Sequence, residues 1–396
     1  MAPLRHQYFS NENISKIIYG QNDNIVAVNG AQIVVSRASE QPPRSTKSPA
    51  KAGRLAGANP KAAAAGAAKK PLAKKSLWVI TDGKAAMEVQ CVGVARALGI
   101  EPELKRVAPG WLWHLLAPWG PPDPADRFGS PGTAFAAPWP DIAIATGRQS
   151  IPYLRALRRA AGPATYTVVI QNPRTGSATA DLICVPKHDG MSGKNVVITL
   201  TAPHGFSPAL LAKLRKKPAP EITAMPRPRT MIALGGPNAV YRFTDADKAC
   251  LARAVSSLAE LGSSFLITPS RRTPADLIAA VAEAAPADRR LVWDGKGENP
   301  YELYLAHADQ LIVTADSVNM VGEACATGRP VYVFTPHGGS AKFAWFHASL
   351  RQYGATRALP DVFSGLESWS YAPLDSSAEI AREIERRLLE RQEAAG

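Results

Sequence analysis

The chain has 396 residues and a mass of 42.2 kDa, enough for two to three domains with their own cores, which excludes a small disulfide-stapled peptide. Hydrophobic residues make up 46% and charged residues 20%, a composition that folds and excludes a wholly disordered chain. The net charge of +13 suggests nucleic acid, but residues 1–76 hold 12 Lys/Arg against 3 Asp/Glu, so +9 sits there and +4 is left for the other 320 residues. With most of the excess at one end and no base-reading motif beside it, a nucleic-acid partner is not expected.

In chain order, Asn24 to Val35 reads NIVAV-NG-AQIVV, two β-rich runs around Asn-Gly, the signal of a tight hairpin. From Gln41 to Lys75 the residues are mostly Pro, Ala, Lys and Gly. Such a stretch buries too little surface to offset its ordering entropy, so residues 1–76 read as a disordered basic tail carrying a hairpin at 24–35. No apolar run approaches the roughly 18 residues of a spanning helix, and the start lacks a secretory h-region. A cytoplasmic location is expected, peripheral at the inner membrane at most. The four cysteines, Cys91, Cys184, Cys250 and Cys325, never form a CxxC pair and read as buried thiols rather than ligands or disulfides.

From Leu77 onward short β-branched runs alternate with helical stretches, the pattern of parallel sheets covered on both faces. A first array has strands at 77–81, 141–146, 166–171, 182–186 and 196–200, with helices at 85–98 and 150–161. A Pro-rich bridge at 216–229 then reads as a domain boundary. The second array has strands at 230–236, 265–270, 290–294, 310–315 and 330–334. Thr273-Pro274 reads as N-cap and first helical position, a helix beginning near Ser317 ends at Gly328, and the box Ser376-x-x-Glu379 opens a closing helix over about 376–392. The fold class is therefore α/β, two doubly wound Rossmann-like domains at 77–225 and 226–375, a cleft between them, and a C-terminal helix at 376–396.

Ligands of such sheets lie beyond the carboxyl ends of the strands. Six strand-ending loops combine Gly or Pro with polar or charged residues, beginning at Thr81, Thr146, Gln171, Lys187, Gly235 and Thr268. A Gly-rich turn before a helix offers N–H groups and a positive dipole end to an anion, so the set describes a nucleotide diphosphate held mainly by the second domain. Glu323 lies about two turns into a helix of small residues, TADSVNMVGEACATGRP. It reads either as a solvent-facing glutamate or as an acceptor for ribose hydroxyls.

That segment resembles the donor signature of GT-B glycosyltransferases, in which a glutamate on a small-residue helix contacts the ribose. The body, about residues 77–390, resembles the mitochondrial fission ELM1 family through TDGKAAMEVQ, IATGRQSIPYL, VPKHDG, GGPNAVYRF, TPSRRTP, WDGKGENPY and GGSAKFAWFH. It departs from the family's first motif at Ala86 or Met87, one of which is usually glycine there. The GT-B resemblance implies a metal-independent glycosyltransferase that uses helix N-termini and cations to offset the leaving diphosphate. Gly235, Gly236, Ser270, Arg271, Ser317 and Lys342 are its candidate diphosphate contacts, with Glu323 on the ribose and Asn299 and Tyr301 bordering the base. Asp82, His188 and Asp189, on first-domain loops, are candidate catalytic bases for the acceptor proton. No resident cofactor or metal is expected, the nucleotide-sugar donor being a co-substrate. Residues 110–119, GWLWHLLAPW, place three tryptophans on a short helix, which reads as a buried packing element or as a contact with an anionic membrane near a lipid-linked or lipopolysaccharide-type acceptor. Two alternatives stay open: a nucleotide-sugar epimerase on the same fold, and a non-catalytic membrane-associated factor.

Overall fold

Residues 16–19, 24–29, 32–37, 72 and 74–394 are described by the structure, a computed structural model. The chain divides into two units, residues 1–67 and 68–396. In the first, β1 (Lys16–Tyr19), β2 (Asn24–Asn29) and β3 (Gln32–Arg37) form an antiparallel sheet in that order. The hairpin expected at 24–35 is there, with Asn29 opposite Gln32, and extends to Arg37. Of the stretch read as low complexity, residues 41–71 and 73 lie outside the described residues. Leu72 does not follow that reading: it is buried in the core of the second unit.

The second unit begins with β4 (Leu77–Thr81), α1 (Ala85–Leu98), β5 (Glu103–Arg106), α2 (Trp111–Leu116), β6 (Ile142–Thr146), α3 (Ile151–Ala161), β7 (Tyr166–Ile170), β8 (Leu182–Pro186) and β9 (Val196–Thr199). The strands make one parallel sheet in the order β5-β4-β6-β7-β8-β9. Every residue of β4, β6, β7 and β8 is buried, as a sheet covered on both faces requires, and this is why these runs read as continuous apolar segments. β5, with the sequence ELKR, is largely exposed at the sheet edge.

Beyond it come α4 (Pro208–Leu214), α5 (Pro220–Thr223), β10 (Arg229–Leu234), β11 (Tyr241–Arg242), α6 (Asp245–Glu260), β12 (Ser264–Pro269), α7 (Ala275–Glu283), β13 (Arg290–Val292), α8 (Tyr301–His307), β14 (Gln310–Thr314), α9 (Val318–Cys325), β15 (Val331–Phe334), β16 (His337–Gly338), α10 (Ala341–Tyr353), β17 (Thr356–Ala358) and α11 (Ser376–Glu393). A second parallel sheet runs β13-β12-β10-β14-β15-β17. The expected architecture of two doubly wound α/β halves is thus the one the chain adopts.

Packing moves the boundary between the halves. Phe206, Leu211, Leu214, Ile222 and Met225, placed by sequence in the first half, are buried in the core of the second sheet. The Pro-rich stretch at 216–229 is therefore inside the second half, and the chain crosses over near Thr201–Phe206. α11 returns the other way, with Ile380, Ile384 and Leu388 buried against Leu98 and Leu182 of the first half. The two crossings meet: Thr201 Oγ1 and Ser376 Oγ lie 2.7 Å apart, and Ser377 Oγ donates to the His204 carbonyl at 2.6 Å. Gly93 of α1 admits this contact, because a Cβ there would sit 2.5 Å from the His204 oxygen.

Two helix starts differ from expectation. α7 begins one residue later, with Pro274 as its flanking residue, because the Thr273 hydroxyl bonds the carbonyls of Leu234 and Gly235 instead of capping a helix. α11 is capped by Asp375, whose carboxylate accepts the Ala378 N–H, so the cap lies one residue before Ser376 and, with Ala378 at the third helical position, the expected box of Ser376 and Glu379 does not form. Cys91, Cys184 and Cys325 are buried and free, and Cys250 is half-buried.

Candidate functional site

Both sheets reverse their winding at a central strand, β4 beside β6 in the first and β10 beside β14 in the second, and the loops leaving these strands carry the unusual residues. At the end of β10, Gly235 donates its N–H to Thr314 Oγ1 at 2.7 Å and Gly236 donates to Asp316 Oδ2 at 3.0 Å. The Asp316 side chain has no exposed surface. It also accepts from Thr314 Oγ1 at 2.7 Å and from Arg272 Nη2 at 3.0 Å, while Arg272 Nη1 reaches the carbonyls of Gly236 and Pro237. A Cβ on Gly235 would lie 2.2 Å from Asp316 Oδ1, and one on Gly236 would lie 2.1 Å from the Arg272 carbonyl oxygen. Close approach of Asp316 and Arg272 requires glycine at both positions. The two amides expected to meet a diphosphate donate inside the loop, to Thr314 and Asp316.

The other candidates at this edge stand further out. Ser270 and Thr273 share a hydroxyl contact of 3.0 Å, Arg271 is exposed, and Ser317 caps α9 by accepting the Met320 N–H. Lys342, in the first turn of α10, pairs with Asp189 across the two halves at 2.6 Å. A candidate diphosphate cation and a candidate base therefore hold each other. The side chain of His188, beside Asp189, lies outside the described residues.

Glu323 is only partly exposed on α9. Tyr301 Oη donates to its Oε2 at 2.6 Å, and the Tyr301 N–H bonds Asn299 Oδ1 at 3.0 Å. Burial pushes the Glu323 carboxyl up to about 7, against the opposing effect of the Tyr301 hydrogen bond and helped by nearby Glu302. Burial and the Glu323 charge together raise the Tyr301 phenol well above its ordinary range. Glu323 and the segment 298–303 form one wall of a cavity of 920 Å3, and Glu88, Val92 and Arg96 of α1 line the other. Behind the carboxylate, Gln90, His204 and Asn319 enclose a smaller space of 100 Å3. His204 is 3% exposed and burial lowers its pKa. Sequence reasoning missed Gln90, His204 and Asn319, which no local spacing connects to Glu323.

At the carboxyl edge of the first sheet, Asp82 is ion-paired with Lys84 and lines a space of 350 Å3 with His114, Arg148 and Arg174. Gly147, at a positive φ of 88°, brings the backbone against the Asp82 carboxylate, from which a Cβ would be 3.8 Å away. Gln171 Nε2 donates to Gln90 Oε1 at 3.0 Å, linking this edge to the region behind Glu323. Among the described residues, no group of three or more His, Cys, Asp or Glu has the arrangement of a metal site.

Two doubly wound sheets, two tied crossings and a cavity walled by both halves define a two-domain α/β cleft protein. The family model for Mitochondrial fission ELM1 matches residues 85–388, and the chain belongs to that family. It is 33% identical over 277 residues to the mitochondrial fission protein ELM1 of Arabidopsis thaliana, covering 64% of this chain and 65% of the relative. It is 28% identical over 161 residues to an uncharacterized protein of Rickettsia prowazekii (strain Madrid E), covering 39% of this chain and 45% of that one. The chain thus matches less than two thirds of the length of each of these relatives. Among solved structures, the UDP-GlcNAc 2-epimerase of Methanocaldococcus jannaschii aligns with a TM-score of 0.47 at 10% identity, over 78% of this chain and 99% of that one. MurG of Acinetobacter baumannii aligns with a TM-score of 0.41 at 17% identity, over 80% and 92%.

Proposed function

We propose that the chain is a nucleotide-sugar-dependent glycosyltransferase of the GT-B type that binds its donor in the cavity between the two halves. The observation that carries this reading is the Glu323 carboxylate, oriented by Tyr301 at the wall of a cavity of 920 Å3, a volume suited to a nucleotide-sized ligand. A carboxylate accepts from both hydroxyls of a ribose, and Asn299 and Tyr301 would border the base. The diphosphate would meet the outer groups Ser270, Arg271, Ser317 and Lys342, together with the N-terminal ends of α9 and α10, where dipole and cation offset the charge of the leaving group.

The acceptor would enter at the edge of the first sheet, beside Asp82, Arg148 and Arg174. Asp82 or Asp189 would take its proton, each first released from its lysine partner. An acceptor of the cell-envelope or lipid-linked class suits this edge, and no resident cofactor is needed for the transfer. The test is a melting-temperature screen of the whole chain against nucleoside diphosphates and their sugars, since a ligand at 100 times its dissociation constant adds about 2.7 kcal/mol. A shift with one base, lost in Glu323→Ala, supports the donor site. Conversion of the bound sugar without an acceptor would make the chain an epimerase, and no shift across the panel would count against the reading.

A further inference from the structure

α2 is a helix of six residues, none of them buried. Trp111 is 81% exposed, Leu115 66% and, just past the helix, Trp119 63%. Of the two sequence readings for residues 110–119, buried packing does not hold for these side chains. The helix is kept in place by its carbonyls instead: Arg148 donates to the carbonyls of His114, Leu115 and Ala117, and Arg155 to those of Pro118 and Trp119. The fold thus commits two arginines to presenting an apolar surface that its own core does not use. Exposed Trp111, Leu112, Leu115 and Leu116 on one short helix, with Trp119 just past it, are costly in water, and such a patch marks a contact with something apolar.

The surroundings say what kind of contact. Trp119 also lines a cavity of 740 Å3 whose charged residues are Arg155, Arg158, Arg159 and Arg391 against the single carboxylate of Asp181. Apolar rings beside a pocket with an excess of guanidinium groups match the interface of a bilayer with acidic headgroups. Tryptophan sits at the headgroup level, and arginine holds phosphate by paired hydrogen bonds. Arg158 is paired with Asp181 at 3.1 Å. A nucleic acid would use the arginines but leave Trp111 and Leu115 in water, and an apolar protein groove would use the rings but leave the positive excess of Arg155, Arg159 and Arg391 uncompensated.

We infer that α2, Trp119 and the arginine pocket beside them form a docking surface for an anionic phospholipid bilayer, with a headgroup phosphate seated among Arg155, Arg158, Arg159 and Arg391. His114 of α2 and Arg148 also line the space at the edge of the first sheet, so docking brings that edge to the membrane surface. The inference rests on this surface alone and stands or falls apart from the donor reading.

The experiment is co-sedimentation of the full chain with vesicles of phosphatidylcholine alone and of phosphatidylcholine mixed with phosphatidylglycerol, with tryptophan emission read in parallel. The expected result is binding to the mixed vesicles with a blue shift of the emission. The double variant Trp111→Ser/Leu115→Ser should lose about tenfold or more in affinity. Arg159→Glu should lose affinity for mixed vesicles only, and less at high salt. All three side chains are exposed, so the circular dichroism melting curves should superimpose, and the +9 segment at residues 1–76 is common to every sample. Absent binding, or equal binding by all variants, would overturn the inference. So would a fall in sedimentation coefficient of the lipid-free double variant, which would give the surface to a second copy of the chain.

Discussion

Replacing Glu323 by glutamine should stabilise the fold at alkaline pH while weakening ligand binding. Burial moves the carboxyl from 4.5 to about 7, which penalises the ionised form by about 3 kcal/mol at about 1.36 kcal/mol per tenfold. Water in the adjoining cavity screens part of this, leaving about 2 kcal/mol. Between pH 4.5 and about 7 the folded state holds a proton that the unfolded state has released, so the contribution of Glu323 to stability falls as pH rises and the penalty is complete above about 7. The glutamine side chain carries no charge, and its amide oxygen still accepts the Tyr301 hydroxyl. The assay is chemical denaturation of wild type and Glu323→Gln at pH 4.5 and pH 8.5. Equal stabilities are expected at the lower pH and an advantage of about 2 kcal/mol for the variant at the higher, seen in thermal scans as roughly 2 to 4 °C. A variant that is less stable at pH 8.5, or a difference that does not change with pH, would refute the reasoning.

The remaining predictions concern the loops around that cavity and the start of the second unit. Asp316→Ala leaves Gly236 N–H, Thr314 and Arg272 without their shared acceptor and should cost about 3 to 5 kcal/mol in denaturant titrations; a loss under about 1 kcal/mol would mean that the loop does not depend on it. Gly235→Ala should be similarly damaging, because its Cβ would meet the same carboxylate at 2.2 Å, and a variant as stable as wild type would show that the loop can yield. Lys342→Met removes a pair whose lysine is 59% exposed, so stability should change by less than about 1 kcal/mol while nucleoside diphosphate affinity falls on the order of tenfold; unchanged affinity would remove Lys342 from the donor site. A chain starting at residue 76 should be about 2 kcal/mol less stable than one starting at residue 68, because it lacks the buried Leu72 and the Lys75–Asp141 pair; equal melting curves would contradict the place of Leu72 in the core.

Buried parallel strands were the easiest elements to read. LWVIT, YTVVI and QLIVT are mostly apolar because both their faces are covered, and the same coverage fixes their limits to within a residue or two. β5 escaped notice for the opposite reason, since ELKR at an edge has no apolar face to announce it. The domain boundary was misplaced because prolines at 216–229 mark turns wherever they fall, whereas Leu211 and Ile222 reveal their side only by packing. The candidate site was legible in its loops but not in its contacts. Asp316 meets Gly236 and Arg272 across 80 and 44 residues of sequence, and a pairing at that range is set by strand order, which no local motif encodes. Glu323 could be singled out as an odd acid on a small-residue helix, while its hydroxyl partner 22 positions away at Tyr301 became visible only when α8 and β14 had been placed.

The central claim is that the Glu323 carboxylate receives a ribose, and proton-linked calorimetry tests it most directly. At pH 7 a carboxyl with a pKa of about 7 is about half protonated, and a ligand whose hydroxyls donate to the ionised form drives that proton off. Titrating the whole chain with nucleoside diphosphates in buffers of different ionisation enthalpy counts the protons released. Wild type should release about half a proton more than Glu323→Gln at pH 7, with the difference vanishing at pH 8.5 as the carboxyl ionises before the ligand arrives. Binding with the same proton count in both proteins, or no binding by any nucleoside diphosphate, would contradict the claim.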